Sequence, residues 1–312
     1  MKWKSENLAR LARVLERETG SEVKTHVPLA PLTSWKIGGP ADILVRPHSV
    51  EGAGQLFAFL HLHRWPWVVL GRGTNVLVPD AGIRGVVVQL NHLSHIEQRD
   101  SGLYTVGAGM MLPELVRVCS CSGYSGIEDL AAIPGSVGGA VVMNAGAGAQ
   151  TFSDALVGIR VVHEGAMRHL DPARLNFGYR RSGISPDMVV LEVTLQLHFT
   201  STQQCLARRT AALEHRKQAQ KVEMPSAGSV FRNPPEASAW KLIDACGLRG
   251  FSIGGAQISP RHTNFIVNTG SASAADIVAL TAHVQRAVFQ SCGITLEPEI
   301  SFLHEESNRY EA

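Results

Sequence analysis

The chain has 312 residues, enough for more than one compact unit, because single hydrophobic cores stop growing at about 250 to 300 residues. Its 45% hydrophobic and 18% charged residues describe an ordinary globular protein, and 29 basic against 27 acidic side chains leave a formal charge of +2. That balance excludes the broad basic footprint of a nucleic-acid binder, so any anionic ligand has to be held by local groups.

The first twenty residues carry Lys2, Lys4, Arg10, Arg13 and Arg17 where a signal peptide would need an apolar run, and no later uncharged stretch has the length of a membrane helix. The expected location is the cytoplasm, with no membrane partner. Within the arm of residues 1–20, Leu8, Leu11, Ala12 and Leu15 recur at helical spacing, which predicts an amphipathic helix packed on the surface. From Ala41 the pattern changes to short β-rich runs, namely ADILVRP, WVVL, VLV, GVVVQL, HIEQ and LYTVG, with Asp100-Ser101-Gly102 read as a hairpin turn.

Leu112 to Ser122 reads as a short helix opening near Pro113, and residues 156–170 as a second hairpin turning at Glu164-Gly165. The clearest strand is MVVLEVTLQLHF at 188–199, followed by a long basic helix to about Lys221. That junction is the expected domain boundary. The remainder alternates helix and strand: AWKLIDACG, QISPRHTNFIVN, a helix over 273–292 opened by a Ser273-x-x-Asp276 capping box, and TLEPEISFL. The expected fold class is α+β with mixed sheets rather than a regular βαβ array.

Five cysteines, Cys119, Cys121, Cys205, Cys246 and Cys292, include no CxxC pair, and the 13 histidines show no HExxH or comparable spacing. Neither a disulfide framework nor a metal site is expected. Glycine marks the candidate sites instead. Gly71-Arg72-Gly73-Thr74-Asn75 follows the apolar run WVVL, where a tight backbone can present N–H groups to a phosphate. It is no dinucleotide fingerprint of the Rossmann kind, because Val76 stands where a third glycine would be needed and a strand follows in place of a helix. Ile133-Pro134-Gly135-Ser136-Val137-Gly138-Gly139 reads as backbone laid close against something flat or anionic, with a Gly-rich sheet connection as the competing explanation. No GxxxxGK[ST] occurs, which removes the phosphate-loop ATPases.

Six ordered motifs carry a resemblance: TSWKIGGPAD at 33–42, LGRGTNVLVPDAGIRG at 70–85, IPGSVGGAVVMNAGA at 133–147, FGYRRS at 177–182, SAGSVFRNP at 226–234 and LEPEI at 296–300. Together they resemble the UDP-N-acetylenolpyruvoylglucosamine reductase family, also called UDP-N-acetylmuramate dehydrogenase. The resemblance implies a two-part FAD-binding region of the vanillyl-alcohol-oxidase (PCMH) type over residues 21–200, with subdomains at about 21–92 and 93–200. An α+β substrate-binding domain at 201–312 would follow. It also implies FAD as cofactor, NADPH as hydride donor, an enolpyruvyl nucleotide sugar as substrate and a role in cell-wall precursor synthesis, with the chain expected to act as a monomer.

By the same resemblance, Gly71, Gly73, Thr74 and Asn75 would hold the FAD diphosphate. Pro134, Gly135, Ser136 and Gly138, with Ser34 nearby, would line the flavin. Arg72 stands where the family usually has a small residue, and Thr74 where it usually has Ser. Some members carry an extra loop with a substrate-binding tyrosine after the FGYR motif. Here Met188 begins the next strand eight residues after Arg180 with no tyrosine between, so the chain looks like the shorter, second type.

Reducing an enolpyruvyl ether needs hydride at one carbon, a proton at its neighbour and stabilisation of charge growing on the carboxylate. The resemblance assigns Arg180 and Glu299 to the charge and Ser229 to the proton. Without the family context these would read as a surface ion-pair arginine, a solvated strand-end carboxylate and a turn hydroxyl. Asn233, Lys217, Gln257 and His262 are further candidates for substrate contacts, and Tyr124 and Tyr179 offer ring faces for stacking or packing. The competing functions are a flavin-dependent alcohol oxidase of the same fold and a non-catalytic nucleotide-sugar binding protein.

Overall fold

The computed structural model describes residues 5–100, 102–304 and 310–311. By its internal contacts the chain groups into two units, one made of Met1–Thr25, Asp42–Gly71 and Gly85–Gln218, the other of His26–Ala41, Arg72–Arg84 and Ala219–Ala312. Both units are assembled from separated segments, which a reading in consecutive blocks does not anticipate. The basic helix Thr202–Ala219 is grouped with the first unit as far as Gln218. Its Cys205 is buried, and its Arg208 donates to Ser125 Oγ at 3.2 Å.

In the first unit the helix Ser5–Thr19 contributes more than surface cover. Leu8 and Leu15 are sealed into the core beside Leu56, Phe57 and Leu60 of the helix Val50–Leu62. Each such leucine contributes about 2 kcal/mol by leaving water. The helix Val50–Leu62 lies inside the segment that reads as strands, because Gly52 and Gly54 weaken its intrinsic propensity. Tertiary burial of its apolar residues and a Ser49 cap, whose Oγ accepts the Gly52 N–H at 3.0 Å, outweigh that weakness.

The same unit holds an antiparallel five-stranded sheet in the order Ala166–Leu170, Leu156–His163, Val189–Gln196, Leu103–Gly107, Ile96–Asp100. Period-two alternation decides its faces. Leu191, Val193 and Leu195 are buried, while Glu192 and Thr194 between them are only half-buried. The expected Glu164-Gly165 turn joins His163 to Ala166, whereas Ser101 of the other expected turn lies outside the described residues. Behind the Gly-rich stretch at 133–139 sits a short helix, Val137–Val142, opened by Ser136. Gly138 lets it press close to the sheet: its N–H donates to Ala108 O at 2.8 Å, and a Cβ there would lie 3.0 Å from Ala108 Cβ.

The second unit centres on the helix Ala274–Cys292 packed against the strands Ser252–Ile253, Ala256–Ile258 and Ile266–Asn268. The expected capping box is present, and Asp80 adds to it by accepting the Ala274 and Ala275 N–H groups at 2.8 and 3.1 Å. Trp35 is fully buried, donates Nε1 to Ile266 O at 2.7 Å and accepts from Asn268 Nδ2 at 2.9 Å. The residue before it, Ser34, is thereby fixed against the sheet. Val76–Leu77 runs parallel to Ser301–Leu303, so the segment after the first glycine loop is a strand, as its sequence predicts.

Candidate active site

Three turns in the first unit carry predicted site residues. Gly71 follows the strand Trp67–Val69, and a Cβ on it would sit 3.2 Å from Ser136 Oγ, a tight approach that glycine avoids. Ser136 caps the helix Val137–Val142, its Oγ accepting the Gly139 N–H at 3.4 Å. Gly135 takes φ 139°, which favours glycine. The FGYRRS motif forms a tight turn in which the Gly178 N–H donates to Arg181 O at 2.8 Å and the Arg181 N–H returns to Gly178 O at 3.1 Å.

Arg180 occupies that turn with φ 53°, a left-handed conformation unusual for a bulky side chain. Its Nη2 donates to Gly146 O at 3.2 Å, and its guanidinium lies 5.3 Å from the centroid of the Tyr179 ring. Buried Asn144 braces the turn, donating Nδ2 to Gly178 O at 3.0 Å while its Oδ1 accepts the Ser153 N–H at 3.1 Å. Backbone strain held by surrounding bonds at one residue is a mark of functional sites.

From the sequence Lys217 is put forward as a substrate contact and Arg216 is passed over. The structure separates them: Lys217 is exposed, whereas Arg216 is half-buried. Burial, and then the nearby charge of Arg180, push the Arg216 guanidinium below its usual proton affinity.

In the second unit the glycine loop continues as Arg72–Asn75. Ser34 grips it from below, its N–H and Oγ both donating to Gly73 O at 2.9 and 3.1 Å. Gly73 takes φ 64°, and a Cβ there would overlap the Leu32 carbonyl oxygen. The N–H groups of Gly71, Arg72 and Gly73 donate to none of the described residues. A run of successive N–H groups in a glycine-held turn has the donor chemistry that a diphosphate requires, so these residues fit such a group.

The same unit brings Ser229, Glu299 and Asn75 together through the backbone. The Glu299 N–H donates to Val230 O at 2.7 Å, next to Ser229, and Asn75 Nδ2 donates to Glu299 O at 3.0 Å. Gly228, with φ 79°, turns the chain into Ser229, which is half-buried like Glu299. Buried Asn264 holds this segment from behind: its carbonyl accepts the Val230 N–H at 2.8 Å, its Oδ1 accepts the Phe231 N–H at 3.0 Å, and its Nδ2 donates to Phe231 O at 2.8 Å. Nothing in the sequence near Asn264 points to a partner 33 positions away. Asn264→Ala strands two buried backbone groups, and we expect it to cost about 3 kcal/mol in urea unfolding. An unchanged midpoint would contradict that bracing role.

The further substrate candidates have local partners. Asn233 Oδ1 accepts the Ala239 N–H at 2.9 Å, the first residue of the helix Ala239–Ala245. Gln257 Nε2 donates to Gly250 O and Ser252 Oγ at 3.2 and 3.1 Å. The His262 ring packs on Phe265 with centroids 4.8 Å apart, its Nδ1 is buried without a hydrogen bond, and burial holds it below its usual pKa. Tyr124 packs edge-on against Tyr104 and Phe199, at 5.4 and 5.6 Å, which favours the packing role. Among the described residues no group of three or more His, Cys, Asp or Glu side chains could hold a metal ion.

A profile of an FAD binding domain matches residues 41–169, which places the chain among FAD-binding proteins. A second profile, described as the UDP-N-acetylenolpyruvoylglucosamine reductase C-terminal domain, matches residues 220–303. The chain is 41% identical to the UDP-N-acetylenolpyruvoylglucosamine reductase of Syntrophotalea carbinolica over 94% of its own length and 96% of the relative's. It is also 41% identical to that of Bacillus subtilis, over 92% and 96%. The crystal structure of the reductase from Thermus caldophilus superposes with a TM-score of 0.77 at 36% identity, covering 90% of this chain and 98% of that one. The chain belongs to the UDP-N-acetylenolpyruvoylglucosamine reductase family.

Proposed function

We propose that the chain reduces the enolpyruvyl ether of UDP-N-acetylenolpyruvoylglucosamine to the lactyl ether of UDP-N-acetylmuramate, a step in making the peptidoglycan precursor. The observation that carries this reading is the Glu299 N–H bond to Val230 O, which ties the serine turn to the segment that bears Glu299 in a chain of this family. FAD, when bound, supplies the hydride that it has received from NADPH. Overall, one NADPH and one proton are consumed, two electrons enter the C=C bond, and NADP⁺ leaves.

The chain's own residues have the remaining work. Hydride arriving at one alkene carbon places negative charge on its neighbour and the attached carboxylate. By the family pattern, Arg180 would meet that charge with a fixed cationic fork, and Glu299 would share a proton or hydrogen bond with the same centre. Each such donor is worth about 3 kcal/mol of barrier. Ser229 Oγ then gives its proton to the carbanionic carbon, and the resulting alkoxide is reprotonated from solvent. An unaided serine is a weak acid, so a neighbouring positive charge or a water relay has to support it.

For the cofactor, Gly71, Gly73, Thr74 and Asn75 would hold the diphosphate through backbone and side-chain donors. Ser34, Pro134, Gly135, Ser136 and Gly138 would bed the ring system. For substrate, Asn233, Lys217, Gln257 and His262 are the contact candidates. The working unit in this reading is a single cytoplasmic chain. Among the described residues no helix is long and apolar enough to cross a membrane. Light scattering of the active species tests the single-chain state.

The function itself is tested by reconstituting the purified chain with FAD and following NADPH absorbance. Oxidation that requires the enolpyruvyl nucleotide is the expected result. Oxygen uptake with simple alcohols and no NADPH would instead place the chain among alcohol oxidases, and nucleotide binding without turnover would make it a binding protein.

A further inference from the structure

Between Gly71 and Gly73 the loop has one position with a side chain, and it is a cation. Gly73 cannot move without its neighbours, because its φ of 64° and its close approach to the Leu32 carbonyl fix the backbone there. Arg72 is half-buried and its Nε is buried with no hydrogen-bond partner. Its guanidinium forms no ion pair with any of the described residues. A half-buried guanidinium whose Nε is unpartnered is a group that an anion from outside the chain can satisfy. The two groups flanking it in sequence, the N–H groups of Gly71 and Gly73, have no acceptor among the described residues.

We propose that Arg72 is a charge partner of the FAD diphosphate, adding a guanidinium contact to the backbone donors of its loop. The inference rests on the FAD-binding reading of that loop. It assigns a role to the departure noted in the sequence: a side chain inserted at a position where small residues suffice gives this chain an electrostatic hold on the dinucleotide. Arginine suits the task because its planar fork matches phosphate oxygens and keeps its charge at any working pH. With a net charge of only +2 the protein has no broad positive field to do the same job.

The test uses the full chain stripped of flavin and titrated with FAD or with riboflavin, which lacks phosphate, by quenching of flavin fluorescence. Arg72→Met keeps the aliphatic neck and removes the charge; it is expected to weaken FAD binding about 10- to 100-fold and riboflavin binding less than about twofold. Arg72→Lys should recover part of the loss, and raising the salt concentration should narrow the gap between the original chain and Arg72→Met. Unchanged FAD affinity in Arg72→Met, or an equal loss for both flavins, would overturn the proposal. Failure of the unsubstituted chain to bind FAD would remove the cofactor reading itself, and is distinguishable because it needs no variant.

Discussion

Ser229→Ala should leave bleaching of the flavin band by NADPH at its normal rate while turnover of the enolpyruvyl nucleotide falls by about 10²- to 10⁴-fold. The split follows from the division of labour. Removing Oγ removes the proton donor but touches neither the glycine loop nor the flavin loop. Structural damage is a poor alternative explanation, because the turn is held by Asn264 and by the Glu299 N–H, and neither bond uses the serine hydroxyl. Anaerobic stopped-flow of the two half-reactions checks it. If both stayed normal, the role given to Ser229 would be wrong. If both collapsed together, the variant would have lost its cofactor and not its acid.

Arg180→Gly should separate strain from chemistry more sharply than alanine would. The arginine sits at φ 53°, which glycine adopts freely and which costs a bulky residue roughly 1 kcal/mol. Loss of the 3.2 Å bond to Gly146 O removes a comparable amount, about 1 kcal/mol. Thermal stability is therefore expected to change little. Turnover should nevertheless fall by about 10²- to 10³-fold, because the cation facing the developing carboxylate charge is gone. Arg180→Lys should recover little of that loss, as an ammonium cannot reproduce the planar fork. A variant that melts early, or one that keeps its turnover, would show that the arginine is there for the turn and not for the reaction.

The proposed catalytic side chains stand in motifs whose neighbourhoods are local: FGYRRS is one turn, and the glycine loops are defined by consecutive residues. The sheet strands at 96–107, 156–170 and 189–196 were readable, since alternation is a local pattern. What escaped is non-local or contrary to propensity. Gly52 and Gly54 disguise the helix Val50–Leu62, which exists because the first unit buries its apolar residues. Asn264 braces the serine turn across 33 positions, and Asn75 reaches Glu299 across 224, distances no spacing rule encodes. Arg216 and Lys217 differ only in burial, which adjacent sequence does not disclose. The interleaved segments of the two units follow from the same cause, long-range packing.

The central claim is that this chain delivers a hydride and a proton to an enolpyruvyl ether. The most direct measurement is anaerobic: the flavin is bleached with one equivalent of NADPH, UDP-N-acetylenolpyruvoylglucosamine is added, and both the flavin band and the nucleotide product are followed. The account predicts that the yellow colour returns within turnover time and that one equivalent of UDP-N-acetylmuramate forms, with a solvent-derived hydrogen at the protonated carbon. A flavin that stays bleached until air is admitted, with the nucleotide recovered unchanged, would contradict it.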